Sequence, residues 1–297
     1  MTQLAQSRSL PRTSPAALPW SWDWLGLVPF LAFITAFLLL PSVTLFAGAF
    51  QDSTGGFTLA NLLALNTPQI IKAYTLSLQV SLVTSLVGGV FGFMVAYAIT
   101  VGGAPGWVRS ALLTFSGLAA NFGGVPLAFA FIATVGRTGF ITALLRNVGL
   151  DPYAYGFNLY GFTGLTLTYT YFQFPLMVLT ITPALEGLKR EWREASENLG
   201  ASPWQYWWHV ALPILWPSIL GTMILLFGSA FGAFATAQAL TGGQFLLVTI
   251  LIGQQIRGDV LGNANLGYAL ALGMVVVMAV SIAGYTVLQR RTTRWLR

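Results

Sequence analysis

Glu194-Ala195-Ser196-Glu197-Asn198-Leu199-Gly200, followed after nine residues by Val210-Ala211-Leu212-Pro213, is a charged, cap-rich loop in a chain that is otherwise almost uncharged. The charges begin upstream, at Glu186, Lys189, Arg190, Glu191 and Arg193. Glu186 and Arg190, Lys189 and Arg193, and Arg190 and Glu194 are neighbours at helical spacing, so a helix is expected to extend out of the apolar segment before them. Gly200 is placed to end that helix, because glycine tolerates the left-handed conformation at the first position past the last turn. Ser202 then reads as the N-cap of a second, short helix, with Pro203 at its first position and Gln205 three residues after the serine. Trp204, Tyr206, Trp207, Trp208 and His209 crowd this short helix, and Pro213 and Pro217 lead into the next apolar run.

Around the loop, 56% of the residues are hydrophobic and 7% charged. A water-soluble domain carries about a quarter charged residues, so the composition indicates an integral membrane protein. A spanning helix needs about 20 mostly apolar residues. Six segments satisfy this: Leu25–Phe50, Tyr74–Thr100, Ala111–Val135, Thr163–Leu185, Trp216–Leu240 and Leu266–Leu288. The loop falls between the fourth and fifth. With the N-terminus cytoplasmic, the inner side holds Arg8, Arg12, Arg109, Lys189, Arg190, Arg193, Arg290, Arg291, Arg294 and Arg297, against Lys72, Arg137, Arg146 and Arg257 outside. The positive-inside rule therefore places both termini and the loop in the cytoplasm. Residues 1–24 read as a cytoplasmic tail, 25–290 as an all-α six-helix domain with its loop at 186–213, and 291–297 as a basic tail. The outer segments 51–73, 137–162 and 241–265 are expected to form short helices and re-entrant pieces.

The loop resembles the "EAA" loop of type I binding-protein-dependent ABC importer permeases, whose pattern is Glu-Ala-Ala, three residues, Gly, nine residues, Ile-x-Leu-Pro. Glu194, Ala195, Gly200, Leu212 and Pro213 fall in register, while Ser196 replaces the second Ala and Val210 the Ile. An interfacial amphipathic segment would account for the aromatics alone, but not for this register between the fourth and fifth spans. Phe57-Thr58-Leu59-Ala60-Asn61-Leu62 and Thr75-Leu76-Ser77-Leu78 are similar to segments around the first and second spans of such permeases, with Tyr74 in place of an Asn. The resemblance implies that the loop seats on a separate ATPase subunit. Glu194 would then meet a basic group there, while Ala195 and Gly200 permit close approach. On chemical grounds Trp204, Trp207 and Trp208, on the helix begun by Ser202, are candidates to fill an ATPase groove. The implied assembly is two ATPase subunits binding ATP and Mg²⁺, a second identical or homologous permease, an extracytoplasmic solute-binding protein and membrane lipid, in a bacterial inner membrane.

Other classes fit less well. Neither Lys72 nor Lys189 follows a glycine, so no phosphate-binding Gly-Lys-Ser/Thr loop exists and ATP hydrolysis is expected from another chain. His209 is the single histidine and cysteine is absent, which gives no metal or cofactor site of ordinary type and no catalytic Ser-His set. The basic residues flank apolar segments, and no nucleic-acid-binding stripe appears. Ion-coupled carriers place ionisable groups in the membrane, and none lies within the six segments.

A neutral pathway can recognise a polar solute through hydroxyl, amide and backbone groups. Candidates are Asn121, Gly123 and Gly124 in the third segment, Tyr169, Tyr171 and Gln173 in the fourth, and Ser229, Thr236 and Gln238 in the fifth. Asn121-Phe122-Gly123-Gly124-Val125-Pro126 is expected to break its helix, which a membrane tolerates only against protein or a cavity. The same small residues also suit close helix packing. Thr241-Gly242-Gly243 with 246–255 and 263–269 looks similar to the spermidine/putrescine permease subgroup, which overlaps permeases for ferric iron, thiamine and phosphonates. A polyamine-like solute is therefore expected, with those ligands or a sugar as alternatives. The acidic groups expected outside are Asp52, Asp151 and Asp259.

Overall fold

The computed structural model describes residues 26–257 and 263–293. The expected tails, with Arg8 and Arg12, and Asp259 lie outside the described residues, except that 291–293 continue the last helix. Among the described residues regular structure is helical, apart from one antiparallel bridge between Gln51 and Phe57. The chain divides into two units, residues 1–47 and 48–297.

The first unit contributes most of α1 (Val28–Ala49), in which Phe30, Phe33, Phe37, Leu38 and Val43 are exposed. A π-helical turn at Thr35–Leu39 interrupts it directly before Leu40-Pro41. The same arrangement recurs in α9, below, where the π turn Trp207–Ala211 directly precedes Leu212-Pro213. Proline lacks the N–H that would bond the carbonyl four residues back, and its ring clashes with that carbonyl. A widened turn separates Pro41 from Phe37 and Pro213 from His209, and so lets the helix continue.

The second unit begins with α2 (Ala60–Ala64) and the 33-residue α3 (Pro68–Thr100). It continues with α4 (Gly106–Asn121), α5 (Gly124–Val135), α6 (Phe140–Asn147) and α7 (Phe162–Glu186). Then come α8 (Arg190–Asn198), α9 (Pro203–Phe231), α10 (Ala235–Thr241), α11 (Val248–Arg257) and α12 (Ala264–Thr293). Helix α7 lies at the centre, packed against α3, α4 and α9. Its contact with α3 is the most extensive of the unit, and glycines make it possible. A Cβ at Gly88 would lie 2.4 Å from Cβ of Gln173, and one at Gly92 would lie 2.5 Å from both Cβ of Met177 and the Phe174 carbonyl. Small residues let membrane helices approach this closely. At the loop end, Ala96, Ile99, Met177, Ile181, Leu185 and Leu215 form one buried cluster; at the opposite end Leu127, Leu159, Leu165, Tyr169, Leu240 and Ile250 form another.

Among the described residues five stretches are long and apolar enough to cross a membrane: Val28–Ala49, Pro68–Thr100, Gly124–Asn147, Pro203–Phe231 and Ala264–Arg290. Helix α7 has 25 residues but falls outside this set, because Thr166, Thr168, Tyr169, Thr170, Tyr171 and Gln173 make its first half polar. One expectation holds and two need correction. The third segment is two helices, α4 and α5, parted at Phe122–Gly123 as the Gly-Gly-Val-Pro run suggested. The fifth is also two, α9 and α10, parted at Gly232–Phe234, which was not foreseen. The charged helix does not extend out of the fourth segment: α7 ends at Glu186, and α8 starts anew after an extended Lys189.

Candidate functional site

Two places gather the residues that the sequence singled out. The first is the charged loop. Helix α8 ends in a full Schellman arrangement, in which Gly200 at φ +77° donates to the Glu197 carbonyl at 2.9 Å and Ala201 to the Ser196 carbonyl at 3.0 Å. Two residues later the capping box is complete: the Ser202 hydroxyl accepts from the Gln205 N–H at 3.3 Å, and the Gln205 side chain accepts from the Ser202 N–H at 2.7 Å. These back-to-back caps end α8 and start α9 within three residues, Gly200 to Ser202.

The outer surface of this corner is mixed. Glu194 is exposed and pairs with Arg190 at 2.8 Å, and Glu197 pairs with Arg193 at 3.0 Å. Ala195 and Gly200 are exposed and small. Trp204 and Trp208, 73% and 58% exposed, stack on each other at 5.9 Å. Trp207 turns the other way. It is half-buried, edge-on to Tyr97 of α3 at 4.8 Å and to the buried Tyr206 at 6.5 Å, so its side chain supports the corner from inside. Leu212 and Pro213 are half-buried where the π turn resumes α-helix. Sequence reasoning passed over Leu199, which at 87% exposure is a third large apolar side chain exposed on the same loop as the two tryptophans. The signal for it was an apolar residue ending an otherwise polar helix. Behind the corner lies a cavity of about 540 Å³ lined by Tyr97, Thr100, Leu185, Arg193, Tyr206 and Trp207. Arg109 of α4 and Glu186 at the end of α7 form an ion pair at the same end of the bundle.

The second place is where the two broken helices meet. Gly124, at φ +71°, donates its N–H to the Thr236 hydroxyl at 2.8 Å, joining the start of α5 to the first turn of α10. Gly123, Gly124, Ser229 and Thr236 line a cavity of about 250 Å³ together with Phe172 and Phe234. The Ala233 carbonyl, in the second break, accepts from the Tyr169 hydroxyl at 2.8 Å and from the Thr249 hydroxyl at 3.4 Å. Such bonds satisfy backbone groups that a continuous helix would have paired internally.

The remaining candidates are placed differently. Tyr169 and Gln173 are fully buried and line no cavity described here. Gln173 donates to the Leu226 carbonyl at 2.9 Å and so ties α7 to α9. Tyr171 is half-buried, edge-on to Phe122 and Phe131. Asn121 is exposed and bonds the Gly117 carbonyl of its own helix at 2.9 Å. Gln238 lines a neighbouring space of about 410 Å³ with Phe234, Gly253, Gln254 and Arg257.

Thr236→Val will leave the Gly124 N–H without its hydroxyl and destabilise the junction by about 1–3 kcal/mol. A lowered melting temperature in detergent, restored by Thr236→Ser, is the expected result; an unchanged melting temperature would remove the junction's role.

Comparison with known proteins agrees with this architecture. Over 211 residues the chain is 29% identical to the chloroplastic sulfate permease 2 of Chlamydomonas reinhardtii, covering 71% of this chain but only 54% of that protein. It is 29% identical over 214 residues to the sulfate transport system permease protein CysT of Escherichia coli (strain K12), covering 71% and 72%. In structure it is similar to a bacterial ABC transporter involved in the import of the acidic polysaccharide alginate, with a TM-score of 0.71 at 19% identity, covering 91% and 96% of the two chains. A bacterial alginate ABC transporter in complex with alginate pentasaccharide-bound periplasmic protein gives a TM-score of 0.69 at 20% identity, over 91% and 96% of the chains. Residues 17–294 match the family described as binding-protein-dependent transport system inner membrane component, and the chain belongs to that family.

Proposed function

We propose that this chain is a permease subunit of an ABC importer for sulfate or a closely related tetrahedral oxyanion. The observation that carries the transport reading is the pairing of a cap-defined, outward-facing corner with two broken helices that meet at a cavity. A break of this kind persists in a membrane only where protein or a pathway satisfies the backbone. The oxyanion reading draws support from relatives named as sulfate permeases. These relatives give the polyamine expectation no support.

In this proposal α7 crosses the membrane as a further span, its polar half shielded by α3, α4 and α9, which gives six crossings with the charged loop in the cytoplasm. The loop docks on one of two ATPase subunits that bind ATP and Mg²⁺. A second permease completes the pathway, and an extracytoplasmic binding protein delivers the solute. ATP binding draws the two loops together and turns the pathway outward. This requires the ATP-bound ATPase pair to prefer the outward-facing state, because a ligand shifts an equilibrium only by its differential affinity. Leu199, Trp204 and Trp208 supply the apolar anchor at the dock, Glu194 a charged contact, and Ala195 and Gly200 the room.

Glu194→Ala with Gly200→Val tests the dock. Losing the exposed pair with Arg190 costs about 0.3–0.5 kcal/mol. A left-handed valine costs about 1–2 kcal/mol locally. Neither cost unfolds the bundle, so the expected result is normal membrane insertion with sulfate uptake reduced at least tenfold in reconstituted transporter. Wild-type uptake by a well-inserted double variant would defeat the docking assignment. A wild-type transporter that moves a polyamine and not sulfate would defeat the substrate reading.

A further inference from the structure

We propose that Arg257, laid on the face of Phe234, forms with Gln238 and Gln254 an oxyanion-binding site on the side of the pathway opposite the loop. The proposal rests on the transport reading above for its biological use, but not for its chemistry.

Phe234 borders three adjoining spaces. One is the 250 Å³ cavity between the helix breaks; the others, of about 410 and 300 Å³, both contain Gly253 and Arg257. Its ring is held against Gly253, where a Cβ would come within 2.9 Å of it. On the ring lies Arg257, its guanidinium carbon 5.3 Å from the centroid. A cation–π contact uses no hydrogen-bond acceptor, so it does not consume the guanidinium N–H groups, which can match two oxygens of an oxyanion.

The surroundings favour an anion. Arg109, Arg146, Arg190 and Arg193 each pair with a carboxylate, and Arg137 lies over Tyr153, whereas among the described residues Arg257 forms no ion pair. The larger space is lined by Phe234, Gln238, Ile250, Gly253, Gln254 and Arg257, with no acidic group among them. Two amides border this space and also approach one another at Gly243, where a built Cβ would sit 3.5 Å from Nε2 and 3.6 Å from Oε1 of Gln238 and 3.7 Å from Nε2 of Gln254. Gly243 has φ +81°, so a side chain at this position is disfavoured by the backbone as well. The result is a cleft that, among the described residues, holds one cation without a carboxylate partner and two amide groups. Such a cleft concentrates anions and repels a polycation.

The sequence has no cysteine, so Ile256→Cys places a single thiol in the chain, on an exposed residue that lines the third space beside Arg257. In the assembled transporter this thiol is reacted with a sulfonatoethyl and with a trimethylammonioethyl methanethiosulfonate, each rate normalised to that of a free thiol in solution. The anionic reagent is expected to react about tenfold faster than the cationic one. Inorganic sulfate should slow it, and chloride at equal ionic strength should not. Adding Arg257→Gln should abolish both the preference and the protection, whereas Arg257→Lys should keep the preference. Equal normalised rates with Arg257 present, or sulfate protecting no better than chloride, would overturn the site. Sulfate protection in a transporter that imports no sulfate would refute the transport reading and leave the site standing. Sulfate import without protection would refute the site alone.

Discussion

Gly92→Leu will prevent this protein from accumulating as a folded bundle. A Cβ at position 92 meets two atoms at 2.5 Å, Cβ of Met177 and the Phe174 carbonyl, and neither can swing aside. Overpacking a well-filled core costs about 1–3 kcal/mol and more where the backbone must move. That is a large share of a total stability of about 5–15 kcal/mol. The contact affected is the most extensive in the second unit, between α3 and α7. Gly89 is the internal control. The nearest atom to its Cβ is the Met223 sulfur at 2.3 Å, near the end of a flexible side chain that can rotate away. Gly89→Ala should therefore elute as a single species in mild detergent, with a melting temperature close to wild type, while Gly92→Leu yields aggregate. Equal behaviour of the two variants would show that the α3–α7 approach does not limit folding.

Gly124→Val will eliminate uptake for a different reason. Space is not the difficulty here, since the nearest atom to a Cβ is 3.8 Å away. The difficulty is φ +71°, a conformation a β-branched residue adopts at a cost of about 1–3 kcal/mol. The backbone will relax by turning its N–H away from Thr236, which unpairs the two helix breaks. Gly123 sits at φ −131° with nothing within 4 Å of a Cβ, so Gly123→Ala should be tolerated. The expected result is a Gly124→Val protein that inserts normally but loses at least nine-tenths of uptake, about 1.4 kcal/mol or more in the rate of the limiting step. Uptake retained by Gly124→Val would mean that the junction is scaffolding rather than part of the moving pathway.

What the sequence made legible was local. The Gly200 terminator, the Ser202–Gln205 box and the break at Phe122–Gly123 each follow from a few neighbouring residues, and each is present in the structure. The second break was not legible, because Phe231-Gly232-Ala233-Phe234 contains one glycine, no proline and no polar side chain. What holds that break open comes from far along the chain: Tyr169 and Thr249 on the Ala233 carbonyl, and Arg257 on the Phe234 ring. For the same reason the pathway candidates scattered. Tyr169 and Gln173 are polar residues in an apolar helix, a pattern shared by side chains that line a cavity and side chains that brace a neighbouring helix; the structure gives both bracing bonds. Arg257 entered the sequence argument only as a cation on the outer side, since nothing near it in the chain announces Phe234.

Helix α3 is also a strut. Its 33 residues extend about 50 Å at 1.5 Å per residue, well beyond a hydrocarbon layer about 30 Å thick. After its first position it contains no proline, unlike α7 with Pro175 and Pro183. Near one end its Tyr97 bears on Trp207 behind the corner; toward the other, Ser77 accepts the N–H of Val248 at the start of α11, the helix that ends in Arg257. A tilt of this stiff rod displaces both contacts at once. Membranes of different thickness would set that tilt differently, so turnover of this transporter is expected to vary with the acyl-chain length of the surrounding lipid.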